Sequence, residues 1–315
     1  MLLAGANPLL GFYALFQGAL GGKSQLAETL VQTTSLLFPS LAVAFAFRAG
    51  LFNIGAEGQL IIGGLMAGVI GSQLNAPGFI AIPILLLAGA FGGAAWSSIA
   101  GLLRARFGGS EVIATLMLNI IAALLANYII VDLMKAPGAA ETAELPHSSW
   151  LPTLIPGTRL SIALPIALAL AFVLRYIFDR TVFGYELRAA GSAPEAARRA
   201  GINLPKMAFT AMALSGAMAG LGGATIVTGV LHRFNVSLSP GYGFIAIAVA
   251  LVGDLDPIKI IVASFGFGIL QSGALTMQAL AQVPKDVVSF VEGLAILALA
   301  ARSFVAERLR AQPAE

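Results

Sequence analysis

Arg48-Ala49-Gly50-Leu51-Phe52-Asn53-Ile54-Gly55-Ala56-Glu57-Gly58-Gln59 separates two apolar runs, residues 41–47 before it and 60–70 after it. A cation, an anion, two amides and three glycines fall within this stretch. Lipid cannot satisfy such groups, so polar residues between membrane-length segments are the first candidates for function. The glycines permit turns and close backbone approach. The residues alone leave two readings open. One is a membrane-embedded helix that breaks or begins beside a translocation path. The other is a cytoplasmic turn followed by an N-capped helix.

Composition sets the class. Of 315 residues, 58% are hydrophobic and 10% are charged, and the mean hydropathy is +0.90. Soluble domains carry about 25% charged residues, so this chain reads as an all-α, polytopic membrane protein. Its net charge of +3 does not imply nucleic-acid binding, because the basic residues cluster in loops where the positive-inside rule accounts for them. With no cysteine, disulfides and thiolate metal sites are excluded. His147 and His232 have no metal-ligand spacing. Gly22-Lys23-Ser24 resembles the end of a phosphate-binding loop, but that motif needs a glycine where Gln17 stands.

A helix needs roughly 20 apolar residues to cross the bilayer core. Expected spans are 27–47, 56–74, 77–102, 111–134, 160–178, 206–228, 258–280 and 287–303. Residues 242–253 form a shorter run, a half-helix or a crossing completed by its flanks. Residues 1–26 are too glycine-rich and interrupted to read as a span. Three basic segments orient the chain: Arg104 with Arg106, the loop from Arg175 to Lys206, and a tail with Arg302, Arg308 and Arg310. All lie inside if the crossings alternate through about nine spans with an external N-terminus. That topology leads us to expect a further membrane helix before Met1, making ten. The external loop 135–159 holds Pro137, Pro146, Pro152 and Pro156, which favour extended and turn structure. Trp150 is expected at the lipid interface. Gly64 with Gly68, Gly89 with Gly93, and Gly216 with Gly220 are small-xxx-small pairs suited to close helix packing.

Polar side chains also lie inside the spans: Asn119 and Asn127 in 111–134, Gln271, Ser272 and Thr276 in 258–280, and Glu292 in the last. An ionised group at mid-bilayer costs about 2.5–3.5 kcal/mol, so these groups face protein or water. They either line a path for a neutral polar solute or bond helices together. A second glycine-rich break, Ser239-Pro240-Gly241-Tyr242-Gly243-Phe244, precedes the 242–253 run, which ends in an acidic turn at Gly253-Asp254-Leu255-Asp256-Pro257. Two such breaks, one in each half, are a feature of transporter inverted repeats. In the cytoplasmic loop 179–206, Pro194 and Glu195 suit a helix start and Gly201 suits its end.

Four stretches carry a family resemblance: RAGLFNIGAEGQ (48–59), SEVIATLMLN (110–119), residues 181–202, and YGFIAIAVALVG (242–253). From about residue 27 onward the chain resembles permease subunits of bacterial ABC importers for nucleosides and simple sugars, within the branched-chain amino acid and ribose permease superfamily. NIGAEGQ is similar to the nucleoside-type branch. The resemblance implies a single transmembrane permease domain over 1–315 in the bacterial inner (plasma) membrane, with no catalysis of its own. ATP and Mg would be bound by a partner ABC ATPase. The other implied partners are a second, non-identical permease and an extracytoplasmic substrate-binding lipoprotein. It also implies a coupling helix around Glu195, Ala196, Ala197 and Gly201, with Gly184, Arg188, Gly191 and Pro194 in the same ATPase-facing loop. Asn53, Glu57, Gln59, Asn119, Tyr242, Phe244 and Gln271 are the expected pathway residues. Purine nucleosides lead as cargo, then simple sugars. The rival reading is an ion-coupled secondary transporter of a small polar solute, which needs a working buried carboxylate at Glu57 or Glu292.

Overall fold

The computed structural model describes residues 7–134 and 140–281, together with 287, 290 and 293. Most of the expected span 287–303, with Glu292, lies outside the described residues, as do the arginines of the tail and Pro137. Eleven α-helices run through the described part: α1 (Pro8–Leu20), α2 (Lys23–Arg48), α3 (Ala56–Gly71), α4 (Gly78–Phe107), α5 (Glu111–Tyr128), α6 (Ala163–Arg180), α7 (Val182–Ser192), α8 (Pro194–Arg199), α9 (Leu204–Ile226), α10 (Tyr242–Val252) and α11 (Pro257–Ala281). Wide π turns extend α5 over Ile129–Leu133 and α9 over Val227–Leu231. Among the described residues, extended pairing is limited to the isolated bridges Glu141–Asn235 and Thr153–Ser161.

Among the described residues, five helices, including their π extensions, are long and apolar enough to cross a membrane: Lys23–Arg48, Gly78–Phe107, Glu111–Leu133, Leu204–Leu231 and Pro257–Leu280. By contrast, α3 and α10 have 16 and 11 residues. At about 1.5 Å per residue both fall short of a roughly 30 Å hydrocarbon core, as expected of helices that start within the membrane. Local chemistry sets the other starts. The Ser110 hydroxyl caps α5, the Thr181 hydroxyl caps α7, and the Asn203 side chain accepts from the Lys206 N–H ahead of α9.

The core is built around α9, which packs on α2, α3 and α4. The backbones nearly touch there. A Cβ on Gly220 would overlap the Gly89 carbonyl and stand 2.8 Å from the Gly93 Cα, and one on Gly223 would overlap the Leu60 carbonyl. Contacts of α2 with α9, α10 and α11 match those of α9 with α2, α3 and α4. Exchanging α2 with α9, α3 with α10 and α4 with α11 therefore maps the pairing onto itself.

The first 26 residues hold a helix too short to count as a span, in keeping with the sequence expectation. Asn7 and Pro8 start α1, with the Asn7 side chain accepting from the Leu9 N–H. The small residues that looked like interruptions form its buried stripe, Gly11, Ala14, Leu15, Gly18 and Ala19. Against this stripe lies α11, with Leu15 at Gly273 and Gly18 at Thr276.

The two ends of the bundle differ. At one end lie Arg48, Arg104, Arg175, Arg188 and Arg198 with the 253–257 turn; the positive-inside rule makes this end cytoplasmic. At the other, residues 140–151 zip onto 228–236. Val236, Thr142, Leu145 and Leu151 donate backbone N–H groups to the carbonyls of Ala140, Phe234, His232 and Thr228 at 2.8–3.1 Å. Arg233 pairs with Glu141 at 2.7 Å and Glu144 at 3.7 Å. Trp150, expected at the lipid interface, is half-buried between the two histidines. Its ring lies 4.0 Å from that of His147 and 3.7 Å from that of His232, and its indole N–H donates to the Leu145 carbonyl at 2.9 Å. The two histidines, 85 positions apart in number, meet through one aromatic ring.

Candidate functional site

The first break begins where α2 ends. Gly50 turns the chain at a φ of 73°, and Asn53 is wholly buried. The Asn53 amide donates to Gln59 Oε1 at 3.0 Å and to Ser215 Oγ at 2.7 Å, and accepts from the Gly55 N–H and from Gln59 Nε2, each at 2.9 Å. Gln59 also donates to Ser97 Oγ at 3.1 Å, and Ser215 passes its own proton to the Ala42 carbonyl at 2.6 Å. Asn119 reaches over from α5. It accepts from the Gly58 N–H at 2.8 Å and donates to the Ile54 carbonyl at 2.9 Å, supplying one donor and one acceptor to backbone that the interrupted helix leaves unpaired. Ser97 and Ser215 each lie roughly ten residues, about 15 Å of helix, from the cytoplasmic ends of α4 and α9. The break therefore sits near mid-membrane.

Asn53, Gln59 and Asn119 were expected to line a path. In this structure their donors and acceptors are engaged by the bundle itself, as buried amides require. They fasten the break to α4, α5 and α9. Ser97 and Ser215 complete the fastening, and no sequence signal separates them from other serines of the spans.

The second break meets the first through Glu57. Gly241, at a φ of 98°, precedes α10, and the Ser239 hydroxyl accepts from the Tyr242 N–H at 2.9 Å. The Gly243 N–H donates to Glu57 Oε2 at 2.7 Å. A Cβ on Gly243 would stand 2.5 Å from the Glu57 Cα and 2.8 Å from the Ala56 carbonyl carbon. Only glycine allows this approach. Thus α3 and α10 start side by side, their partial positive N-termini sharing one buried carboxyl group. Tyr242, 8% exposed, adjoins this point and donates its hydroxyl proton to Gln32 Oε1 at 2.7 Å. Phe244 is 44% exposed on the outer surface of α10. Gln271 lies on α11 beside Ser272, whose hydroxyl pairs with that of Thr29 at 2.5 Å. Five of the seven expected pathway residues, Asn53, Glu57, Gln59, Asn119 and Tyr242, converge at the two breaks. Among the described residues, no group of three His, Asp or Glu could hold a metal ion.

On the cytoplasmic side, α7 and α8 form an elbow. The sequence reading placed one helix at 194–201, and α8 spans Pro194–Arg199, with Gly201 at a φ of 87° after it. The reading missed α7, although Gly184, Leu187 and Ala190 recur at helical spacing and are buried. Gly184 packs against the end of α6, 2.8 Å from Phe178 Cα to an added Cβ. Gly191 rests on the first break: a Cβ there would overlap the Arg48 carbonyl and stand 2.7 Å from the Gly50 nitrogen. Arg188 is among the charges around Arg48. Glu195 is exposed and 3.6 Å from Arg198, Ala196 is exposed, and Ala197 is buried. A cleft of about 510 Å³ opens on the elbow between Tyr185, Arg188, Ser192 and Ala196. Arg48 itself donates to the Leu255 carbonyl at 2.8 Å and lies 4.6 Å over the Phe178 ring. Arg175 pairs with Asp256 and with Asp179. The end of α2, the end of α6 and the turn after α10 are thereby tied together.

Residues 25–300 match the family described as branched-chain amino acid transport system / permease component. The chain is 38% identical over 306 residues to the guanosine ABC transporter permease protein NupP of Bacillus subtilis (strain 168), covering 95% of this chain and 88% of the relative. It is 33% identical over 261 residues to the guanosine ABC transporter permease protein NupQ of the same organism, covering 78% and 79%. It is also 32% identical over 314 residues to the glucose ABC transporter permease protein TsgB13 of Haloferax volcanii, covering 95% and 82%. No solved structure matches the chain.

Proposed function

Because this chain belongs to the family of branched-chain amino acid transport system permease components, a multi-pass protein of the inner membrane, we propose that it is the translocation subunit of an ATP-driven importer. The cargo is a nucleoside, with purine nucleosides favoured, or a simple sugar, as the names of its relatives suggest. A partner ABC ATPase binds ATP and Mg and supplies the energy. An extracytoplasmic binding lipoprotein delivers the solute. A second, non-identical permease completes the path, since the chain is similar to two distinct guanosine permeases of one organism.

The observation that carries this reading is the meeting of two interrupted helices on Glu57 near mid-membrane. Unwound helices with their N-termini turned toward one point are how membrane transporters build a solute site without a cofactor. Asn53, Gln59 and Asn119 hold the first break in shape, while Glu57 and Tyr242 stand beside the path. On closure of the ATPase, α7 and α8 move as its docking elbow. Gly191 then transmits that movement to Gly50, three residues before the Asn53 fastening. The correspondence between α2–α4 and α9–α11 is an inverted repeat, so the two breaks work as a pair.

Labelled uptake in cells expressing the whole cluster tests this. Guanosine, uridine and ribose are compared with and without an inactivating mutation in the ATPase. Nucleoside uptake abolished by that mutation is expected. Ribose-only uptake overturns the nucleoside assignment. Uptake that survives the mutation but collapses with an uncoupler overturns the importer in favour of an ion-coupled secondary transporter.

A further inference from the structure

A second polar line runs from the outer loop to the breaks, and of its members only Tyr242 was among the expected pathway residues. Arg159 donates to Glu28 Oε2 at 2.8 Å, Gln32 Nε2 donates to Glu28 Oε1 at 3.1 Å, and the Tyr242 hydroxyl donates to Gln32 Oε1 at 2.7 Å. One residue on, the Gly243 N–H reaches Glu57. Glu28 and Gln32 are one helical turn apart and share a face of α2. From Val31 to Ala46 nearly all of α2 is buried, and Gln32 is the exception. The Glu28 side chain is 30% exposed and that of Arg159 55%. At about 8 and 14 Å from the outer end of α2, such groups do not face lipid, because a charge and an amide there require water, protein or a polar solute.

Resting on the importer reading above, we propose that Glu28 and Gln32 form a hydroxyl-recognition ladder for the sugar moiety of the solute, with Tyr242 as its inner rung. A carboxylate accepts from two neighbouring hydroxyls at once, and the Gln32 amide both donates and accepts. Together they match a vicinal diol, which presents paired donors and acceptors. The bonds now made along the line are exchanged for bonds to the solute as it passes from Arg159 toward Glu57. A polar line of this kind rejects a solute that lacks a hydroxyl, because the site group is left unpaired.

The test compares ATP-dependent uptake of guanosine and 2′-deoxyguanosine by the whole cluster carrying wild-type chain, Glu28→Gln, Gln32→Leu or Tyr242→Phe. Glu28→Gln keeps the shape of the side chain and guards against a folding defect in Gln32→Leu. The wild type is expected to prefer guanosine. Glu28→Gln and Gln32→Leu are expected to raise the apparent KM for guanosine three- to tenfold and to leave that for 2′-deoxyguanosine unchanged, so that the preference narrows. Equal losses for both solutes, with less of the second permease co-purifying, would identify the face as a subunit contact and overturn the ladder. Unchanged preference in every variant overturns it too. Absence of guanosine uptake in the wild type itself removes the importer reading on which the ladder depends, and so separates the two failures.

Discussion

Replacing Glu57 by alanine should detach the start of α10 from the start of α3. The carboxyl group is 7% exposed and accepts from the Gly243 N–H at 2.7 Å. Losing a hydrogen bond to a charged group costs about 1.5–3 kcal/mol, and leaving a buried donor unpaired costs about 1–3 kcal/mol. A charge removed from a helix N-terminus adds about 0.3–1 kcal/mol. These effects overlap, so the net loss is about 3–5 kcal/mol. Glu57→Gln keeps one acceptor for Gly243 and should lose about 1–2 kcal/mol. The chain has no cysteine, which permits a clean reporter: Ala246 on α10 is fully buried, and Ala246→Cys should resist a thiol reagent. At tenfold per 1.4 kcal/mol, Glu57→Ala should raise its labelling rate by roughly a hundredfold or more, with Glu57→Gln between. If Glu57→Ala labels and melts like the parent, the carboxyl group does not hold the two breaks together and the reasoning fails.

Gly191→Ala should uncouple the ATPase from transport, because its methyl group meets the immovable Arg48 carbonyl; overpacking of this kind costs about 1–3 kcal/mol. ATP hydrolysis by the purified complex should persist while uptake falls, and parallel retention of both would refute the joint. The outer end should also loosen in acid. Burial, chiefly, pushes His232 below the usual histidine value, the His147 charge adds to this, and the Thr228 carbonyl and Glu144 oppose it. A depressed pKa means that the unfolded chain takes up the proton first. The contribution of His232 is then complete above about pH 6.5 and is lost as pH falls from there through its folded value. Melting curves between pH 7.5 and 5.5 should show a steeper decline for the wild type than for His232→Asn, which tolerates the left-handed backbone at φ 57°; equal slopes would refute this assignment.

Five of the expected spans were legible because length and apolarity alone identify a crossing, whereas 56–74 gave the short α3 and 160–178 gave α6, whose last turns carry Arg175, Asp179 and Arg180. Legibility ended where meaning depended on distant partners. Asn53 and Gln59 stand out as polar in any sequence, but Ser97 and Ser215, which bond them to α4 and α9, are remote in sequence. Glu57 and Gly243 are separated by 186 positions, and no local pattern announces their bond. In α1 the small residues that argued against a span form a contact stripe, which the sequence alone does not show because glycine serves both turns and close packing. α7 is short and amphipathic, and although Gly184, Leu187 and Ala190 recur at helical spacing, the backbone contacts of Gly184 and Gly191 that bury this face are remote in sequence or at helix ends.

The glycine seam joining α3, α4 and α9 has a mechanical consequence. Where carbonyls of one helix lie against α-carbons of the next, there are no side-chain rotamers to absorb a slide, and each helix is keyed to its neighbour. Sliding one along another would drive every carbonyl over the next ridge at once, whereas tilting the three together disturbs none of them. α3, α4 and α9 are therefore keyed together along their length, and the start of α10 is keyed to α3 in the same way at Gly243.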